Sequence, residues 1–177
     1  MRVVYVHGYG SQFDPESPKI NALAELGPVT GPRLDYIKDT AERNITAAMS
    51  HCVDVYAPAD LVVGTSLGGW IAAEVGYRLG IPFVACNPAI APYRSLVRYD
   101  LPAHIVHSYT DMNLKGAGLV LVDKGDTVLD PYRAVSYAQG DLMVVQFEGG
   151  SHRFEHMKES VGYIDRFYHT VETSLGV

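Results

Sequence analysis

Positive charge is scarce in this sequence, and so are cysteine, tryptophan and long apolar runs. There are 14 Lys and Arg against 20 Asp and Glu, for a net charge of −6. No basic run or aromatic-basic stripe breaks that balance, which argues against nucleic acid as a partner. No apolar stretch reaches the length of a bilayer-spanning helix, so no membrane partner is expected. The chain begins on the strand-like Val3-Val4-Tyr5-Val6, with neither the basic segment nor the cleavage site of a secretion signal, and a soluble cytoplasmic protein is expected. The two cysteines, Cys52 and Cys86, make no metal spacing. Cys86 ends the apolar run Phe83-Val84-Ala85, where a buried reduced thiol is expected in preference to a disulfide. His104 and His107 have a metal-like spacing but no evident third ligand, and no metal is expected. His7-Gly8-Tyr9-Gly10 lacks the third glycine and the ribose-binding acid of a dinucleotide fingerprint, so no cofactor is expected either.

What remains is the composition of an ordinary globular domain. The 177 residues are 47% apolar and 19% charged, enough for one domain with a real core. Short apolar runs at 2–6, 28–33, 60–64, 82–86, 117–122 and 142–147 read as strands. They alternate with helical patterns at 18–26, 38–52, 68–79, 131–139 and about 155–170. Ala41, Ile45, Met49 and Cys52 share one helix face; Met157, Val161, Ile164, Tyr168 and Val171 share another. Such alternation implies crossover units and a parallel sheet covered on both faces, with the site beyond the carboxyl ends of the strands. Residues 88–116, with Pro88, Pro92 and Pro102, break the pattern and read as a short irregular cap.

The chemistry centres on Leu61-Val62-Val63-Gly64-Thr65-Ser66-Leu67-Gly68-Gly69-Trp70. An apolar run, a G-x-S-x-G motif and a helical pattern follow one another. A strand turning sharply into a helix would lift the Ser66 hydroxyl above the sheet edge, and Gly64 and Gly68 let the crossing backbones approach. A serine needs a base, and the base an orienting acid. Among seven histidines, His152 stands in a loop after the last strand, where Gly149 and Gly150 leave the chain free to curl over the sheet. His51, His156 and His169 fall on predicted helices, as solvated or packed residues; His7 reads as a hydrogen-bonding residue that shapes the first loop. For the acid, Asp126 is preferred because Gly125 presents it beyond the strand end, with Asp123 as rival; Asp130 reads as an N-cap before Pro131. The order Ser66, Asp126, His152 is that of α/β-hydrolases. The backbone N–H groups of Leu67 and Tyr9 are the expected donors to a developing oxyanion.

With these segments read, the chain resembles the small YqiA/YcfP-like bacterial esterases of the α/β-hydrolase superfamily. The resemblance rests on Tyr5-Val6-His7-Gly8-Tyr9-Gly10-Ser11, Val63 to Trp70, Cys86-Asn87-Pro88-Ala89-Ile90, Gly125 to Asp130, and Glu148-Gly149-Gly150-Ser151-His152. It implies a minimal α/β-hydrolase fold over residues 1–177, with about six mainly parallel strands in the order 2-1-3-4-5-6, flanking helices and a short cap. It also implies the Ser66, Asp126, His152 triad and activity on short acyl esters or thioesters. Asn87 looks like the family's strand-end residue, either ordering the site by hydrogen bonds or simply turning the chain. The segment between Asn87 and Asp126 is shorter than is typical of the family, so the cap should be small; Arg94 and Arg98 lie in it, as solvated surface or facing an anionic substrate group. The expected function is a serine hydrolase of the carboxylesterase or thioesterase type acting on a small acyl ester or thioester. The alternatives are a catalytically silent binding protein of the same fold, and hydrolysis of another bond, peptide or carbon–carbon, by the same triad.

Overall fold

The computed structural model describes residues 1–54 and 56–175. Its strands are β1 (Val3–Val6), β2 (Val29–Thr30), β3 (Leu61–Thr65), β4 (Phe83–Cys86), β5 (Gly118–Asp123) and β6 (Met143–Phe147). They form one sheet in the order β2-β1-β3-β4-β5-β6, every neighbouring pair parallel. The helices are α1 (Pro18–Leu23), α2 (Ala41–Cys52), α3 (Leu67–Leu79), α4 (Pro92–Leu96), α5 (Ala103–Val106), α6 (Pro131–Ala138) and α7 (Met157–Leu175). The expected minimal α/β-hydrolase architecture, including its strand order, is the one observed.

Strand residues alternate between two cores because successive side chains point to opposite faces. Val4, Val6, Val62, Ala85, Val120 and Val122 pack on one face with α2, α3, α6 and the cap. Val3, Tyr5, Val63, Val84, Cys86 and Leu121 pack on the other with α1 and α7. Each fully buried aliphatic side chain contributes about 1.5–3 kcal/mol, so the two layers together fix the register of the central strands. Cys52 and Cys86 are free, buried thiols, and burial pushes both pKa values up to about 12. Among the described residues no helix is long and apolar enough to cross a membrane.

The elements depart from their expected bounds where local polar chemistry intervenes. The strand expected over 28–33 keeps only Val29–Thr30. Pro32 has no N–H to give the ladder, and just beyond it the Leu34 N–H turns away to donate to Nε2 of His7 at 3.2 Å. The helix expected from residue 38 starts at Ala41, since the Asp35 carboxylate takes the N–H groups of Ile37 and Lys38, both at 3.0 Å, in a turn that precedes it. The cap is less irregular than expected: Pro92 opens α4 and Pro102 precedes α5. Hydrogen bonds pin it to the body, from Trp70 Nε1 to the Thr110 carbonyl at 2.9 Å and from the Tyr137 hydroxyl to the Met112 carbonyl at 2.7 Å. Trp70 is therefore a core residue, edge-on to Tyr109.

Candidate active site

Four strands end in a row and deliver the polar residues to one sheet edge. β3 ends at Thr65, and Ser66 follows with φ 58° and ψ −120° before α3 begins. That left-handed backbone is costly for a residue with a Cβ and persists only where its surroundings impose it. Here the Ser66 N–H donates to the Cys86 carbonyl at 2.9 Å, and the Ser66 carbonyl accepts from Gly69 at 3.0 Å and Ala89 at 3.1 Å. The turn is possible because a Cβ on Gly64 would run into the Gly68 carbonyl, and one on Gly68 into the Val6 carbonyl. The loop after β1 lies against the serine: Gly8 sits where a Cβ would be 3.3 Å from Ser66 Cβ.

β5 and β6 supply the acid and histidine loops. His152 Nδ1 is 2.9 Å from Asp126 Oδ2, and the Asp126 side chain is 2% exposed. The other carboxylate oxygen of Asp126 accepts from Val128 N–H at 2.8 Å and Leu129 N–H at 3.0 Å. Burial alone would push the Asp126 pKa up, but the His152 hydrogen bond and the Leu129 and Val128 amides outweigh it and hold the carboxyl below its ordinary range. The two loops touch: Gly125 N–H donates to the Gly149 carbonyl at 2.7 Å, and a Cβ on Gly125 would strike the Gly150 carbonyl. Ser66 and His152 line the same two cavities. No hydrogen bond joins them among the described residues.

Asp123, the rival acid, lies elsewhere in the network. It is fully buried, with Oδ1 2.7 Å from His156 Nδ1 and Oδ2 accepting from Glu155 N–H at 2.8 Å and Ser151 N–H at 3.3 Å. His156 was expected on a helix as a solvated or packed residue; it precedes α7, stacks on Phe147 at 5.0 Å and holds the far end of the histidine loop. Asp130 caps α6, accepting from Tyr132 and Arg133. Asn87 orders the site. Its Oδ1 accepts from Asp123 N–H at 2.8 Å, while Nδ2 donates to the carbonyls of Ser151 at 2.8 Å and His152 at 3.3 Å. His7 is buried; Nε2 accepts from Leu34, which leaves Nδ1–H to donate to the Gly8 carbonyl at 3.0 Å. Burial lowers its pKa, partly offset by that Gly8 hydrogen bond.

Two cavities flank Ser66. One, of about 160 Å³, is walled chiefly by Leu67, Leu96, Tyr99, Val128 and Leu129. The other, of about 400 Å³, is more polar, with Tyr5, Tyr9, Lys19 and Arg153 facing Ser66 and His152. Tyr9 lines both cavities and stacks obliquely on Tyr99 at 4.5 Å. Arg98 reaches the smaller cavity, while Arg94 lines a neighbouring pocket and lies 5.7 Å from the Tyr93 ring.

A family model matches residues 2–115, which is most of the chain. The chain belongs to the uncharacterised protein family UPF0227. This is the YqiA/YcfP-like group that the sequence resembles. A UPF0227 protein of Pasteurella multocida is 27% identical over 118 residues, 62% of this chain and 65% of that protein's length. Another, from Shewanella loihica, is 22% identical over 183 residues, covering 93% of this chain and 97% of the relative. Among solved structures, alpha/beta hydrolase domain-containing protein 10 from mouse aligns with a TM-score of 0.75 at 17% identity, over 96% of this chain and 90% of that one. A monoacylglycerol lipase of Paleococcus ferrophilus aligns with a TM-score of 0.69 at 17% identity, over 94% and 93%. At such identities the likeness is one of fold.

Sequence reasoning missed Lys19 and Arg153 in the larger cavity and the Asp123–His156 pair behind it. Lys19 comes from α1, outside every motif, and its one local mark is a cation in a first turn that holds no acidic residue. The Asp123–His156 pair had a signal in Asp123 itself, a carboxylate ending an otherwise apolar strand.

Proposed function

We propose that the protein is a serine hydrolase of the carboxylesterase or thioesterase type, acting on a small acyl ester or thioester. The observation that carries this reading is Ser66, held at φ 58° on the strand–helix turn, sharing its cavities with a histidine whose far nitrogen is 2.9 Å from a buried carboxylate. In this reading Ser66 Oγ attacks the acyl carbon as His152 Nε2 takes its proton. The bond to the leaving oxygen or sulfur then breaks, and His152 delivers the proton to that atom. Water, deprotonated by His152, cleaves the acyl-enzyme and returns the proton to Ser66. Asp126 keeps Nδ1 protonated and stabilises the imidazolium; its lowered pKa supports a carboxylate that stays ionised throughout.

The oxyanion would be held by the N–H of Leu67, the first residue of α3 and so without an intrahelical acceptor, and by the N–H of Tyr9 in the loop packed on Ser66. The monoacylglycerol lipase with the same fold lends the reading support by analogy. Two buried free thiols suit a cytoplasmic setting.

The test is fluorophosphonate labelling of the purified protein and of Ser66→Ala, read by intact mass and peptide mapping. A single adduct on Ser66, absent from the variant, is the expected result, with ester hydrolysis abolished in the variant and its fold retained. No adduct on the folded protein would overturn the reading in favour of a silent binding module.

A further inference from the structure

The larger cavity beside Ser66 holds charge that the triad does not use. Lys19 and Arg153 line it together with Ser66 and His152, and both continue into an adjoining cavity of about 480 Å³. Among the described residues neither is in an ion pair. Lys19 is half-buried; burial lowers its pKa, and the nearby Arg153 charge pushes it further down against the upward pull of Asp123. Asp123 is no ready partner, because its oxygens are taken by His156 and the Ser151 and Glu155 amides. The carboxylates at the outer cavity, Asp14 and Glu155, are exposed.

Keeping Lys19 charged while half-buried, with a second cation on the same cavity, costs stability. Lys19 also stands in the first turn of α1, against the local dipole. A chain of net charge −6 places these two cations in the cavity that holds its serine. The smaller cavity at Ser66 is lined largely by apolar side chains, suited to a short acyl group.

We propose that Lys19 and Arg153 form an anion-recognising subsite for the leaving group. The favoured substrates are then esters of a short apolar acyl group with an alcohol or thiol carrying a carboxylate or phosphate. This rests on the serine-hydrolase reading. The two cations draw the anionic leaving group into the larger cavity and so align the scissile bond between Ser66 and His152. Salt weakens the attraction, since the cavity is open to solvent.

Four esters separate the outcomes: phenyl acetate, 4-acetoxybenzoate, 4-acetoxyphenyl phosphate and phenyl hydrogen succinate, whose charge lies on the acyl side. The expected result is a kcat/KM for one acetoxy anion about tenfold above that for phenyl acetate, declining with added salt. The favoured anion identifies the group as carboxylate or phosphate. Lys19→Gln should lower that anion-to-neutral ratio about tenfold, and Arg153→Gln should lower it several-fold. Arg153 is exposed, so its variant decides the matter if Lys19→Gln folds poorly. An unchanged ratio in the folded variants overturns the subsite. Preference for the succinate also overturns it and assigns the anion to Arg98 in the acyl cavity. Fluorophosphonate labelling keeps the two failures apart: a labelled Ser66 without anion preference sinks the subsite alone, whereas no labelling and no ester turnover sinks the hydrolase reading.

Discussion

Replacing Asn87 by alanine should loosen the acid and histidine loops together. Asn87 is buried, with φ 42°, and its side chain bonds three backbone groups: Asp123 N–H, the Ser151 carbonyl and the His152 carbonyl. The Asp123 N–H bond is fully buried, so stranding that donor costs about 1–3 kcal/mol. The two carbonyls are partly open to water, and their loss adds about 1 kcal/mol between them. An alanine at positive φ costs about 1 kcal/mol more, since asparagine tolerates this region better. The total is about 3–5 kcal/mol, read as a shift of the urea midpoint at constant slope. Asn87→Gly loses the same hydrogen bonds but relieves the backbone, so it should be about 0.5–1 kcal/mol more stable than the alanine variant after its greater unfolded-state entropy is counted. Ester kcat/KM should fall in both variants, because the freed loops carry the residues that pair as Asp126 and His152. An unaltered midpoint in Asn87→Ala, or an alanine variant more stable than the glycine one, would refute this account.

The two aspartates should separate by readout. Asp126→Asn should lower ester kcat/KM by on the order of 10³-fold or more with a modest change in stability, because the amide disfavours the required His152 tautomer. Asp123→Asn should cost about 1–3 kcal/mol in urea unfolding, as the fully buried carboxylate that accepts from Ser151 and Glu155 and meets His156 is replaced by an amide, with the smaller effect on turnover; the reverse pattern would reassign the acid. His7 gives a pH dependence. Its folded pKa lies below its unfolded value of about 6.5, so the unfolded chain binds the extra proton and stability falls as pH drops through that range. Urea midpoints from about pH 7.5 to pH 5 should therefore decline more steeply in the native protein than in His7→Asn, and equal slopes would refute the buried neutral assignment.

The fold was legible because hydrophobic periodicity is local. Apolar runs of strand length alternating with 3.6-residue patterns leave few arrangements besides a covered parallel sheet. Ser66 was legible too, since the G-x-S-x-G motif is contiguous in the chain and the Gly64 contact with the Gly68 carbonyl arises within one turn of the nucleophile, although Gly68 answers to the distant Val6 carbonyl. Element ends were less so. β2 stops at Thr30, and beyond it Leu34 turns to a histidine of the first loop, while α2 waits for a turn made by Asp35; neither competing hydrogen bond leaves a periodic trace.

The sequence by itself determined the strand–helix alternation and the serine turn, together with the short list of acids and histidines that could serve it. Only the tertiary structure decided which acid meets which histidine. Asp123 and Asp126 are three residues apart, and His152 and His156 four; composition gives no reason to pair them one way. The pairing follows from Gly125 resting on the Gly149–Gly150 turn and from Asn87 tying both loops to the end of β4. Those contacts join residues far apart in the chain, and so do Lys19 and Arg153, which the packing of α1 against α7 brings to one cavity.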